Sequence, residues 1–146
     1  MTTIAFKDGT LASDSQVTQN SSFTGSALKI GKLGPVLFGA CGALPIAQKF
    51  MQWAIGGMVG ECPRMAQRDG ELVTEAVGVV FHGNHILEFN QYGSITLKAP
   101  YYATGSGGEF ARGAMEAGAS AQRALEVAMK LDIYTGGDIT LLSQFD

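Results

Sequence analysis

The chain has 146 residues, a length that suits a single domain spanning 1–146 with a core of its own. It is 46% hydrophobic and 16% charged, against about a quarter charged for an ordinary soluble protein, so it is no disordered chain. A net charge of −3 with no basic run excludes nucleic acid and anionic membrane as natural partners, and no apolar stretch reaches the ~18 residues that a bilayer span needs.

In chain order, residues 3–7 alternate as a strand, Asp8-Gly9 makes a tight hairpin turn, and residues 10–13 resume the strand. Residues 14–18 leave it, and the polar stretch 19–26 reads as a loop. Residues 28–33 form a short strand, which Gly34-Pro35 turns into the continuous apolar run 36–41 of a buried strand. Pro45 suits a first helical turn, and Ala47, Phe50, Met51, Ala54 and Ile55 recur at helical spacing. Residues 61–71 read as a polar, irregular crossing. Residues 73–81 are strand-like, Gly83-Asn84 makes a two-residue hairpin into 86–89, and 94–97 continues the sheet. A helix follows Gly105-Ser106-Gly107-Gly108 and stops at Gly118. Ser120 caps a second one striped by Ala121, Ala124, Leu125, Ala128 and Leu131, and residues 138–143 form a last strand. Tight turns make neighbouring strands antiparallel, and one apolar stripe per helix must be buried against them. The class is α+β, with two sheets face to face and helices outside.

Several residues carry chemistry. Met1 precedes Thr2; once Met1 is removed, the α-amine of Thr2, with an ordinary pKa of about 7.7–8.0, stands beside the Thr2 hydroxyl and serves as its base. Lys29 sits among Leu28 and Ile30. By alternation alone Lys29 points to solvent, and Asp14 alone reads as the cap of a turn; if Lys29 faces a cleft instead, it favours proton loss from its neighbours, and an aspartate beside it would hold it in place. Gly39 weakens a buried apolar strand, which makes sense where a ligand approaches the backbone and an N–H meets a developing oxyanion. Other readings fall away. Residues 105–110 lack the last glycine of a dinucleotide loop, and residues 25–32 lack the spacing of a phosphate loop, so no nucleotide cofactor is expected. His82 and His85 flank a hairpin turn without further ligands, so no metal is expected. Cys41 and Cys62 form no CxxC, and no secretory signal opens the chain, which together point to a cytoplasmic protein with reduced thiols.

Thr2-Thr3-Ile4, Lys7-Asp8-Gly9, Ala12-Ser13-Asp14-Ser15-Gln16-Val17-Thr18, Lys29-Ile30, Gly39-Ala40-Cys41-Gly42, Gly105-Ser106-Gly107-Gly108 and Asp132-Ile133-Tyr134-Thr135-Gly136-Gly137 follow one another in a familiar order. The series resembles the proteasome β-subunit and the bacterial protease subunit HslV, which are N-terminal nucleophile (Ntn) hydrolases. It covers the first fifty residues and the last forty-five or so. The resemblance implies a four-layer αββα sandwich and threonine peptidase activity on polypeptide substrates. It implies Thr2 as nucleophile, Lys29 and Asp14 as the lysine-aspartate pair, Ser106 near the amine, Asp132 and Thr135 completing that network, and Gly39 as the oxyanion glycine. It places Val17, Gly31, Leu37 and Cys41 near the first specificity pocket, whose small and apolar lining suits cleavage after apolar residues. It also implies homo-oligomeric stacked rings of six or seven subunits, fed by a separate ATP-driven unfoldase. One departure is visible: the family carries two long helices after the glycine strand, whereas here one helix is followed by the irregular segment 56–72, so the second is shortened or absent. The alternative readings are a non-catalytic ring subunit, a latent member that keeps Met1, and an amidase of another branch of the class.

Overall fold

The computed structural model describes residues 2–19 and 22–145. Met1, whose removal is expected above, and Asn20 and Ser21 of the expected loop lie outside the described residues.

Twelve strands and three helices follow in order among the described residues: β1 (Thr3–Lys7), β2 (Thr10–Ser13), β3 (Gln16–Gln19), β4 (Ser22–Ser26), β5 (Ile30–Leu33), β6 (Val36–Gly42), α1 (Leu44–Ile55), β7 (Ala66–Asp69), β8 (Leu72–His82), β9 (His85–Asn90), β10 (Gly93–Leu97), β11 (Tyr101–Gly105), α2 (Gly108–Glu116), α3 (Ala121–Leu131) and β12 (Thr140–Ser143). One sheet has the order β11-β1-β2-β12 and the other β10-β9-β8-β6-β5, with β7 added to β8. Every pairing is antiparallel. The Asp8-Gly9 turn works because both residues adopt left-handed backbone, φ 52° and 74°, which matches the twist of the strands they join.

Strand alternation sorts the side chains into layers. Ile4, Phe6 and Leu11 from one sheet meet Ile30, Leu37, Cys41, Val79, Phe81 and Ile86 from the other. Phe6 stacks on Phe81 at 4.2 Å between ring centres, and Tyr102 meets Phe81 edge-on. The opposite face of the first sheet, Ala5, Ala12 and Ala103, lies under α2 and α3. The opposite face of the second, Phe38, Ala40, Ala76 and Val80, lies under α1. Helices, sheet, sheet, helix: this is the αββα sandwich. Gly78 is required by this packing, because a Cβ there would stand 2.5 Å from the Phe50 ring of α1.

Two stretches expected as irregular are strands. Residues 16–19 and 22–26 form the ribbon β3-β4, whose register shifts between Val17 and Thr18. Residues 66–69 pair with β8. Neither has the apolar alternation that marks a strand with one buried face, since both ride outside the core. Between α1 and β7 no second helix occurs among the described residues.

Candidate active site

Alternation in β1 decides where its first residues face. Ile4 and Phe6 enter the space between the sheets, and Thr2 shares their face at the open end. Thr3 turns the other way, with Ala5, toward α2 and α3. Both threonines are buried. The Thr2 carbonyl oxygen accepts from Ser106 N–H at 2.9 Å. That approach needs Gly105: its φ is +100°, and a Cβ would stand 1.8 Å from the Thr2 oxygen.

Two polar clusters flank Thr2. In the first, Asp14 Oδ1 accepts from Lys29 Nζ at 3.0 Å and from Thr3 N–H at 3.1 Å, while Oδ2 accepts from Gly136 N–H at 3.1 Å. Three donors on one carboxyl fit its ionised, acceptor-only form. Lys29 Nζ also donates to the Gln16 carbonyl at 2.6 Å. Lys29 and Asp14 form a buried ion pair. Burial pushes the Lys29 ammonium below its ordinary pKa, and the Asp14 charge and hydrogen bond hold it back. Burial likewise pushes Asp14 up, against the pull of Lys29 and the two backbone donors.

In the second cluster, Ser106 Oγ and Thr135 Oγ1 each donate to Asp132 Oδ2 at 2.6 Å, and Tyr134 N–H donates to Oδ1. Burial raises the Asp132 carboxyl, but these three donors outweigh it and the net shift is downward. Thr3 Oγ1 lies 2.7 Å from Thr135 Oγ1 and accepts from Gly107 N–H at 2.9 Å. A hydroxyl has one proton, and that of Thr135 is given to Asp132, so Thr3 donates to Thr135. The direction therefore runs Gly107, Thr3, Thr135, Asp132. By the same count the Ser106 proton is committed to Asp132, and the Ser106 oxygen offers only lone pairs to anything beside it.

Thr3 thus ties the clusters together, its N–H in one and its hydroxyl in the other. Sequence reasoning passed over it. The available signal was a fully buried polar side chain in a strand of apolar and alanine residues, which must find partners.

Two openings meet at Thr2. A notch of about 20 Å³ is lined by Thr2, Leu28, Lys29, Ala40, Cys41, Gly42, Leu44, Ala47, Gln48 and Met51. A larger cavity of about 290 Å³ is lined by Thr2, Cys41, Gly42, Glu75, Ala76, Val77, Thr104, Gly105 and Ser106. Thr2, Asp14, Lys29, Ser106, Asp132, Thr135 and Cys41 are brought together at this end of the sandwich.

Gly39 is not with them. Its Cα faces the core, where a Cβ would stand 2.9 Å from Ile30 Cγ2 and 3.0 Å from Ile4 Cδ1. N–H groups alternate along β6: Ala40 N–H goes to the Lys29 carbonyl beside β5, and Ala43 N–H to the Glu75 carbonyl in β8. Gly39 N–H therefore points at β8, opposite Val79. The glycine on the Lys29 side is Gly42, whose N–H faces past the start of β5 at Ile30. Of the expected pocket residues, Leu37 is buried between the sheets and Val17 lies in β3 on the ribbon. Gly31 lines an apolar groove of about 240 Å³ with Leu28, Ile30, Phe38, Met51, Gln52 and Ile55, which adjoins the notch through Leu28 and Met51. A reading that treats a run of strand residues as one surface errs here, because the two faces of β6 line different spaces.

Eukaryotic HslV from Trypanosoma brucei superposes with a TM-score of 0.68 at 24% identity, covering 97% of this chain and 99% of that one. The fold is that of HslV. Thiobacillus denitrificans BPH, solved in complex with epoxomicin, has a TM-score of 0.66 at 18% identity, covering 99% of both chains. BPH also matches in a second structure, again with a TM-score of 0.66. No family sequence model and no curated protein sequence matches the chain. The HslV-type sandwich is the αββα architecture expected from the order of motifs. Its open end carries Thr2, and no helix among the described residues is long and apolar enough to cross a membrane.

Proposed function

We propose that the chain is an N-terminal threonine peptidase, active once Thr2 is the first residue. The observation that carries this reading is the placement of Thr2, buried at the junction of two openings with the Lys29–Asp14 pair on one side and Ser106–Asp132 on the other. The free α-amine takes the Thr2 hydroxyl proton, directly or through a water, and Thr2 Oγ attacks a peptide carbonyl. Gly42 N–H receives the developing oxyanion, taking the role first expected of Gly39. The C–N bond breaks as the amine returns the proton to the leaving nitrogen, and water, activated by the same amine, hydrolyses the ester. Lys29, as ammonium, lowers the proton affinity of the amine and hydroxyl nearby. The Ser106 lone pairs accept from the amine when it is protonated, with Asp132 and Thr135 fixing the Ser106 hydroxyl. The apolar notch and its adjoining groove take an apolar substrate side chain.

In this reading the chain works in stacked rings with a separate ATP-driven unfoldase. Phe110 on α2, Leu131 at the end of α3 and the adjacent Ile133 are exposed and support a subunit contact there.

Epoxomicin, the compound in the BPH complex, tests the chemistry. Protein whose mass shows a start at Thr2 should gain the mass of one inhibitor molecule and lose peptide turnover. No adduct on such protein, or turnover that persists in Thr2→Ala, overturns the proposal.

A further inference from the structure

The larger of the two openings has a feature that the peptide-bond chemistry does not use. Among its nine lining residues a single one is charged, Glu75. Alternation in β8 sets its direction. Val77 and Val79 pack in the space between the sheets, while Ala76 and Val80 lie under α1. Glu75 therefore shares the inter-sheet face with Val77, at the exposed end of that face, beside the mouth of the cavity. Its carbonyl is held by Ala43 N–H at 2.9 Å, which fixes the strand at this point. Its carboxylate has no ion-pair partner among the described residues.

The surroundings add to the same field. Lys29 is matched by Asp14, and Asp132 behind Ser106 is a carboxylate held below its ordinary pKa. No arginine or lysine lines the cavity. A cation entering it meets the Glu75 side chain at the rim and polar oxygens of Thr104 and Ser106 within, whereas an anion at the rim meets repulsion from Glu75.

We propose that this cavity is a subsite for a cationic group of the bound polypeptide, paired with Glu75, next to the scissile bond. This rests on the reading of the Thr2 cleft as a peptide-binding site and adds charge selection to it. The cation is the guanidinium or ammonium of a substrate side chain, or the free amine of a peptide end. The two share one chemistry and are separated by acetylation.

Binding tests it without requiring turnover. The Thr2→Ala chain is titrated with a short peptide carrying arginine, and with the same peptide carrying citrulline, which keeps the shape and loses the charge. Each is used with a free and with an acetylated amine. The cationic peptide is expected to bind about tenfold more tightly than its neutral counterpart, as for one charge-assisted contact, with the ratio shrinking at high salt. In Thr2→Ala/Glu75→Gln the ratio should collapse to about one, and in Thr2→Ala/Glu75→Lys it should invert in favour of a glutamate-bearing peptide. If acetylation, and not citrulline, removes the preference, the cation is the chain end. Equal affinities in Thr2→Ala, no measurable binding of any peptide, or a preference that survives Glu75→Gln overturns the proposal. Failure of the peptidase reading would show separately, as the absence of an epoxomicin adduct on the unsubstituted chain.

Discussion

Thr3→Val is the sharpest probe of the site's construction, because valine keeps the shape and the backbone N–H of threonine. The Thr3 N–H still donates to Asp14, so the lysine-aspartate cluster is left intact. The hydroxyl accounts for two bonds, from Gly107 N–H at 2.9 Å and to Thr135 at 2.7 Å. The second is a hydrogen bond between neutral groups, with a net worth of about 1 kcal/mol. The first is worse to lose, because Gly107 N–H is buried and is left facing a methyl group, a penalty of about 1–3 kcal/mol. The sum is about 2–4 kcal/mol of folding free energy, measured by urea unfolding at neutral pH. Thr3→Ser keeps the hydroxyl and gives up one methyl, and should cost about 1 kcal/mol. A Thr3→Val chain within about 0.5 kcal/mol of the parent, the range of an ordinary surface change, would refute the assignment of Thr3 as the link between the clusters.

Gly105→Ala forces a Cβ onto the Thr2 carbonyl at a left-handed backbone position, and should lower stability by about 3–4 kcal/mol in the same assay. Lys29→Met leaves Asp14 buried with only its two backbone donors. A loss of about 2–4 kcal/mol is expected, together with loss of peptide turnover by the Thr2-started protein. The Asp132 carboxyl is held below its ordinary pKa, so the fold prefers its ionised form. Its contribution is fully present above the unfolded-state value of about 3.9 and is lost as pH falls through the lower folded-state value, so the stability gap between the parent and Asp132→Asn, read by urea unfolding, should be widest near pH 7 and narrow toward pH 2.

What could be read from the residues alone follows the physics of each stretch. Asp8-Gly9, Ser120 and the alanine stripe of α3 announce themselves, since turn, cap and periodicity are local requirements. Lys29 and Asp14 are legible as a pair only through the order of motifs, because their contact depends on how β2 and the start of β5 meet. Gly39 and Gly42 are three residues apart in one strand and equally glycine. Which N–H faces the cleft is set by which neighbour pairs with which edge of β6, and pairing is a property of the sheet. The ribbon β3-β4 and strand β7 were illegible for a different reason: half in solvent, they carry no apolar alternation to read.

The two clusters differ in what stability alone would explain. Asp14 fastens the fold itself, since its oxygens bind the backbone at Thr3 and at Gly136 and so hold the start of β1 against the loop before β12. A structural carboxylate there needs no further purpose. Lys29 is different. Removing an ammonium from water costs several kcal/mol, which its ion pair and its bond to the Gln16 carbonyl return only in part, and replacing both members of such a pair by apolar side chains of similar volume often serves stability as well or better. A subunit kept only for packing gains little from a lysine whose charge burial is already working to remove. A nucleophile whose amine must lose a proton near neutral pH gains directly from a positive charge beside it. The cation in the notch, more than the threonine itself, is what favours a catalytic reading of this end of the sandwich over a purely architectural one.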